Sequence, residues 1–148
     1  MLDITIKSFE TLTKAELYAI LRIRSEVFVV EQLIAYQDLD QKDQKAMHII
    51  GRIDSEIVAY TRIFKPNDYF KYASIGRVLV AKKYRRFNYG RDIVKASISA
   101  IEAQYGETTI KISAQLYLKR FYTELGFESY GDVYLEDEIP HTAMLKQN

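Results

Sequence analysis

Residues 73–114 read ASIGRVLVAKKYRRFNYGRDIVKASISAIEAQYGETTIKISA, and this stretch decides the fold. It opens with a β-rich run, ASIGRVLVA, whose interior Gly76 suits a bulge or a close backbone approach. A helical pattern follows from about Gly90 to Tyr105. Its apolar positions Val94, Ile98, Ile101 and Tyr105 recur at spacings of four and three, and Gly106 is placed to stop it. TTIKISA is a second β-rich run. Two strands joined through a helix lie parallel and are connected by a right-handed crossover.

Working outward, the N-terminal side supplies a helix and a hairpin. Thr13 and Glu16 form a T-x-x-E capping box, with Leu12 and Leu17 placed for a hydrophobic staple. Leu17, Ile20, Leu21, Val27 and Phe28 fall on one helical stripe. VFVVEQLIAYQDLDQKDQ then turns polar and reads as a loop or a short second helix. MHIIGRI and IVAYTRIF flank Asp54-Ser55-Glu56, a hairpin signal. On the C-terminal side, YLKRFYTELG is a short helix closed by Gly126, and the tail through HTAML holds one or two strands. The order helix, antiparallel hairpin, strand, helix, strand, helix, strand specifies an α/β (α+β) fold, a mixed sheet with helices on both faces.

The chain has 148 residues, 48% of them hydrophobic and 28% charged, which suits one domain over residues 1–148 with a real core. No stretch reads as a linker or a repeat. The formal net charge of +1 speaks against a nucleic-acid coat. There is no cysteine, so disulfides, thiolate catalysis and cysteine zinc sites are excluded. No apolar run approaches the roughly 18 residues of a membrane span, and the first residues lack a signal-peptide core. A cytoplasmic protein with no membrane and no nucleic-acid partner is expected.

The chemistry concentrates between Lys82 and Arg91, where Lys82, Lys83, Arg85, Arg86 and Arg91 are cationic and no residue is acidic. The run turns from a strand into a helix, where first-turn amides point outward with partial positive charge. That suits a pyrophosphate, although a solvated charge run has the same composition. Arg85-Arg86-Phe87-Asn88-Tyr89-Gly90 fits Arg/Gln-x-x-Gly-x-Gly/Ala with Asn88 for the first glycine. Gly90 lets a phosphate approach the helix without meeting a Cβ. Asn is the next most tolerant residue for left-handed backbone.

These pieces, with LRIRSEVFVVEQ, YQDLDQKDQKAMHIIG, AQLYLKRFYTELGF and YLEDEIPHTAM in this order and spacing, resemble the GNAT (GCN5-related N-acetyltransferase) superfamily over nearly the whole chain. Within it the similarity is to small bacterial acetyltransferases of the ElaA type. The resemblance implies a mostly antiparallel twisted sheet, acetyl-CoA as cosubstrate, no metal, and transfer of acetyl to an amine. It implies that backbone groups of Val78, Leu79 and Val80 bond the pantetheine arm. It implies that the amides from Arg85, Arg86, Phe87, Asn88 and Tyr89 to Gly90, with Arg91 beside them, grip the pyrophosphate. Gln115 stands where an Asn often contacts the cofactor. Tyr122 opens the Tyr-x-x-x-Gly-Phe motif whose Tyr protonates the departing thiolate.

Chemistry agrees with that last role, because a Tyr hydroxyl beside the sulfur can donate a proton and backbone amides can hold the oxyanion. A core aromatic on an amphipathic helix is the bland alternative for Tyr122. The attacking amine must lose a proton, and Glu136, Asp137, His141 and His48 are candidate bases, His by its pKa near 6.5. Asp38, Asp40 and Asp43 invite a calcium reading. Lys42 at the third ligand position and the missing glycine oppose it, leaving a solvated loop or an acidic lip that draws a cationic amine. A non-catalytic acetyl-CoA-binding module on the same fold is the rival reading. The acceptor amine and the oligomeric state stay open, a homodimer included.

Overall fold

The computed structural model describes residues 1–147. Seven strands form one sheet in the order β1-β2-β3-β4-β5-β7-β6. They are β1 (Asp3–Ser8), β2 (Met47–Ile53), β3 (Glu56–Phe64), β4 (Ala73–Val80), β5 (Ile110–Gln115), β6 (Glu128–Glu136) and β7 (Ile139–Lys146). Every neighbouring pair is antiparallel except β4–β5. The crossover between those two is α2 (Tyr89–Tyr105), as the strand–helix–strand pattern required. Strand β1 is an addition to the sequence reading; its alternation, DITIKS, is too short and half-exposed to stand out. The β2–β3 turn is Asp54-Ser55, both at positive φ, and Glu56 belongs to the strand.

Helix α1 (Lys14–Ser25) starts on the expected capping box: the Thr13 side chain accepts from the Glu16 amide and the Glu16 carboxylate from the Thr13 amide. It runs on into a wider π-helical turn over Glu26–Glu31, where the sequence read as loop or short helix. The sheet separates two layers. On β3, Tyr60 stacks under Arg24 of α1, while the next residue, Thr61, hydrogen-bonds Ser97 of α2. Neighbours on a strand point to opposite faces, so α1 and α2 cover opposite sides. The face of α2 that is fully buried is Ile93, Val94, Ser97, Ala100 and Ile101, shifted from the expected stripe; Ile98 is only half-buried. Helix α3 (Lys119–Thr123) is one turn long, and the tight turn at its C-terminal end fastens it. There the Tyr122 carbonyl accepts from the Leu125 and Phe127 amides, and Gly126 takes φ 100°, which a side chain would resist.

Candidate functional site

A break in pairing makes the site. Strands β4 and β5 pair only at Ala73↔Ile110 and Ser74↔Lys111, then separate. Beyond that point β4 stays with β3 as far as Val80↔Ala59, and β5 stays with β7 as far as Gln115↔His141. The splay opens a cleft of about 580 Å³, within the size of small-molecule sites. A β-bulge sharpens the opening. Tyr60 pairs Leu79 and Arg62 pairs Gly76, so Arg77 and Val78 together oppose Thr61, and Arg77 sits at φ 50°.

Most of the expected cofactor positions line the cleft. Val78, Leu79, Val80, Asn88, Gly90 and Gln115 line it, as do Arg85 and Arg91. Arg86, Phe87 and Tyr89 are absent from the lining; Phe87 is exposed and stacks on Tyr89. Asn88 takes φ 64° and ψ 19°, left-handed backbone that turns a 3-10 segment into α2, and Asn88, Gly90 and Arg91 at the start of α2 line the cleft. The cationic run is less free than its composition implied. Arg85 donates to the Val80 carbonyl at 2.9 Å and grips the Glu31 carboxylate with both Nη atoms, at 2.6 and 2.9 Å; Arg91 reaches Glu124 at 3.1 Å.

Tyr122 lies in the same cleft, 5% exposed. Its ring packs edge-on to Phe121 and Phe127, with centroids 5.0 and 5.9 Å away, and Phe127 is fully buried behind it. No hydrogen bond holds its hydroxyl among the described residues. Burial pushes its pKa up, with a smaller push from Tyr117, so the hydroxyl keeps its proton at neutral pH.

His141 and Glu136 line the cleft on its β5 side, with Gln115 beside His141 in the β5–β7 ladder. The Ile139 carbonyl can only accept, so at 2.7 Å it takes a proton from His141 Nδ1. In the neutral ring this leaves the lone pair on Nε2, which lies 3.6 Å from Glu136 Oε2. Glu136 is about half exposed and accepts from Ser113 at 3.1 Å, and Tyr134 bonds the same Ser113 hydroxyl. Asp137, also in the lining, sits at φ 50° in the β6–β7 turn.

Two expectations need correction. His48 is fully buried away from the cleft, with Nδ1 2.6 Å from the Tyr60 hydroxyl and Nε2 3.0 Å from the Asp43 carbonyl. Both nitrogens are engaged, so it cannot take a substrate proton. Asp38, Asp40 and Asp43 form neither a solvated loop nor an acidic lip. Asp38 and Asp43 are buried, and Arg24, Arg62 and Arg77 meet all three acids. Arg24 donates to Asp38 at 2.9 Å and to Asp43 at 2.7 Å; Arg62 reaches Asp40 and Asp43, each at 2.8 Å; Arg77 lies 2.7 Å from Asp38. Three cations against three anions leave the cluster neutral. It pins residues 36–43 against the sheet, where Tyr36, Arg62 and Arg77 become cleft wall. Arginines at 24, 62 and 77 lie far apart in sequence, so no spacing rule could have joined them to the acids.

The cluster gives the fold a two-step acid response. Burial lowers the pKa of His48 below its ordinary 6.5, with Asp43 opposing. The unfolded chain therefore binds the extra proton first, and stability is complete above about pH 6.5 and declines below it. Burial acts to raise the pKa of Asp40, but hydrogen bonds and charge from Arg62 prevail and hold it at about 2, so its contribution is lost only as pH falls from about 4 toward 2. The urea midpoint is expected to drop between pH 7 and pH 5.5, and His48→Asn, less stable throughout, should lack that part of the slope. An equal slope in the variant would place the titrating group elsewhere.

Comparison with known proteins agrees with this architecture. A family model described as an acetyltransferase (GNAT) domain matches residues 10–148. Protein ElaA of Escherichia coli is 36% identical over 92% of this chain and 90% of its own. A UPF0039 protein of Synechocystis is 39% identical over 93% of this chain and 90% of its own. Among solved structures, an acyl-CoA N-acyltransferase from Pseudomonas aeruginosa superposes with a TM-score of 0.93 at 36% identity, covering 99% of each chain. The E. coli ElaA structure gives 0.92 at 34% identity, covering 99% of this chain and 100% of that one.

Proposed function

This chain belongs to the GNAT acetyltransferase family, and on that premise we propose that it transfers the acetyl group of acetyl-CoA directly to an amine. The observation that carries the reading is the cleft between β4 and β5, which starts at the N-terminus of α2 and has Tyr122 and His141 on its walls.

The strand edge at Val78–Val80, released from β5, offers backbone groups to the pantetheine arm. The α2 amides around Asn88 and Gly90 hold the pyrophosphate, with Arg91 adding charge. Arg85 acts by shaping the loop through Val80 and Glu31. Neutral His141 takes the proton of the incoming ammonium on Nε2, and Glu136 stabilises the imidazolium that forms. The amine lone pair attacks the thioester carbon, amides of the β4 bulge bond the oxyanion, and the carbon–sulfur bond breaks. The Tyr122 hydroxyl, kept protonated by its burial, gives its proton to the leaving thiolate, and the phenolate takes the second proton that the acylated nitrogen sheds, so that the products are the amide and the free CoA thiol.

Binding checks the cofactor half of the reading. Acetyl-CoA should raise the melting temperature in a concentration-dependent way, because a ligand bound only by the native state stabilises it. A Cβ on Gly90 would meet Phe121 and Val80 at an ordinary 3.7 Å, so the fold has room for it. Gly90→Val should therefore fold, within about 1 kcal/mol of the parent, and lose most of its acetyl-CoA affinity. No thermal shift at millimolar acetyl-CoA, or full affinity in the folded variant, would remove the cofactor from this cleft.

A further inference from the structure

The floor of the cleft on the α1 side holds buried polar atoms that no described residue satisfies. Arg62 lies opposite Gly76, and Phe64 opposite Ser74, in the β3–β4 ladder. Directly opposed residues share a face, so these four positions form one patch, and all four line the cleft. Arg62 is 1% exposed; its Nη atoms are engaged by Asp40 and Asp43, but its Nε has no partner. Ser74 is also 1% exposed, and its Oγ has no partner. Buried polar atoms are nearly always bonded, so two such atoms on rungs two apart, the nearest that share a face, call for a partner that the described residues do not supply.

Gly76 adds an independent observation. Its φ lies outside the left-handed region, so the backbone does not demand glycine there. A Cβ built on it meets nothing within 4 Å. Every other residue type would fill that space. Phe64 and Tyr69, stacked at 5.1 Å, wall it, and the Arg62 guanidinium lies 5.1 and 5.7 Å from their ring centres.

Resting on the acyltransferase reading, we propose that the acceptor amine carries a carbonyl-type oxygen group, a carboxylate or an amide, which Arg62 and Ser74 bind over the open floor at Gly76. The donor chemistry sets the class. An arginine Nε–H can donate and never accept, so the group it meets must present a lone pair. A carboxylate or carbonyl oxygen takes that bond and the Ser74 hydroxyl bond together. A plain alkylammonium or polyamine has no lone pair to offer; it could donate to Ser74 but would leave the Arg62 Nε–H unmet. The reacting nitrogen lies toward His141 and Glu136 on the β5 side. The substrate is thus an amino acid, or an amino-acid amide of the peptide type.

Matched triples test this: an amino acid, its amide and the amine lacking that group, with the side chain held constant, each assayed for acetyl transfer by kcat/KM. Aromatic, aliphatic and charged side chains supply the set. The oxygen-bearing members should exceed the plain amine by about tenfold or more, because a site built to hydrogen-bond a group rejects the analogue without it. A carboxylate above its amide identifies amino acids; the reverse identifies peptide-type acceptors. Ser74→Ala should narrow the ratio. Gly76→Val, a β-branched residue entering open strand space, should fold and lower kcat/KM for the oxygen-bearing member. Plain amines used equally well or better overturn the proposal and leave the acetyltransferase reading standing. A preference unchanged in both variants also overturns it, because the recognition then lies elsewhere. No transfer to any member overturns both readings.

Discussion

Tyr122→Phe is expected to lower acetyl transfer by about 10²- to 10⁴-fold, roughly 3 to 5 kcal/mol of transition-state stabilisation. The change removes one oxygen and keeps the ring that packs against Phe121 and Phe127, so no cavity opens. Acetyl-CoA affinity should hardly move, because the proton is needed only as the carbon–sulfur bond breaks. The unpartnered hydroxyl also means that no protein hydrogen bond is lost with it. Turnover and cofactor binding are measured on one preparation, with circular dichroism for the fold. Near-parental turnover would make Tyr122 a packing residue. Equal losses of binding and turnover would place it in the cofactor pocket without a proton to give.

The second large effect belongs to stability. Arg24 is fully buried and bonds two buried carboxylates and the Asp38 carbonyl. Arg24→Met keeps much of the side-chain volume but leaves the cluster with three acids and two bases. Breaking a buried pair in this way costs about 3 to 5 kcal/mol, a large part of the 5 to 15 typical of a domain. Arg24→Lys restores the charge without the fork and should recover only part of it. Adding Asp43→Asn to Arg24→Met restores neutrality, so the double variant should be more stable than the sum of the single losses. Urea midpoints decide. A loss below about 1 kcal/mol, or strict additivity, would show that the six charges do not act as a unit.

How far the sequence carries depends on how local each feature is. The β4–α2–β5 unit rests on local periodicity, and the structure keeps it within two residues of its expected bounds. The capping box at Thr13 is likewise local. The end of the short helix at Gly126 is legible for the same reason, since that residue takes positive φ in the closing turn. What escapes the sequence is what tertiary charge pairing makes. Asp38 and Asp43 read as loop residues because their three arginine partners arrive from α1, β3 and β4. His48 reads as a base until Tyr60 and the Asp43 carbonyl take both of its nitrogens. The π-helical turn after Ser25 is invisible for a related reason, since a change from i→i+4 to i→i+5 bonding leaves little trace in the apolar pattern.

The cleft at the β4–β5 splay is where the sequence and the geometry meet, and its chemistry can be measured in one assay. Purified protein is incubated with acetyl-CoA and a panel of primary amines, free CoA thiol is followed over time, and the product is identified by mass. Amine-dependent CoA release matched one for one by an N-acetylated product is the expected result. Acetyl-CoA that binds in the cleft yet transfers its acetyl group to none of the amines would contradict the assignment and leave a binding module on an acetyltransferase fold.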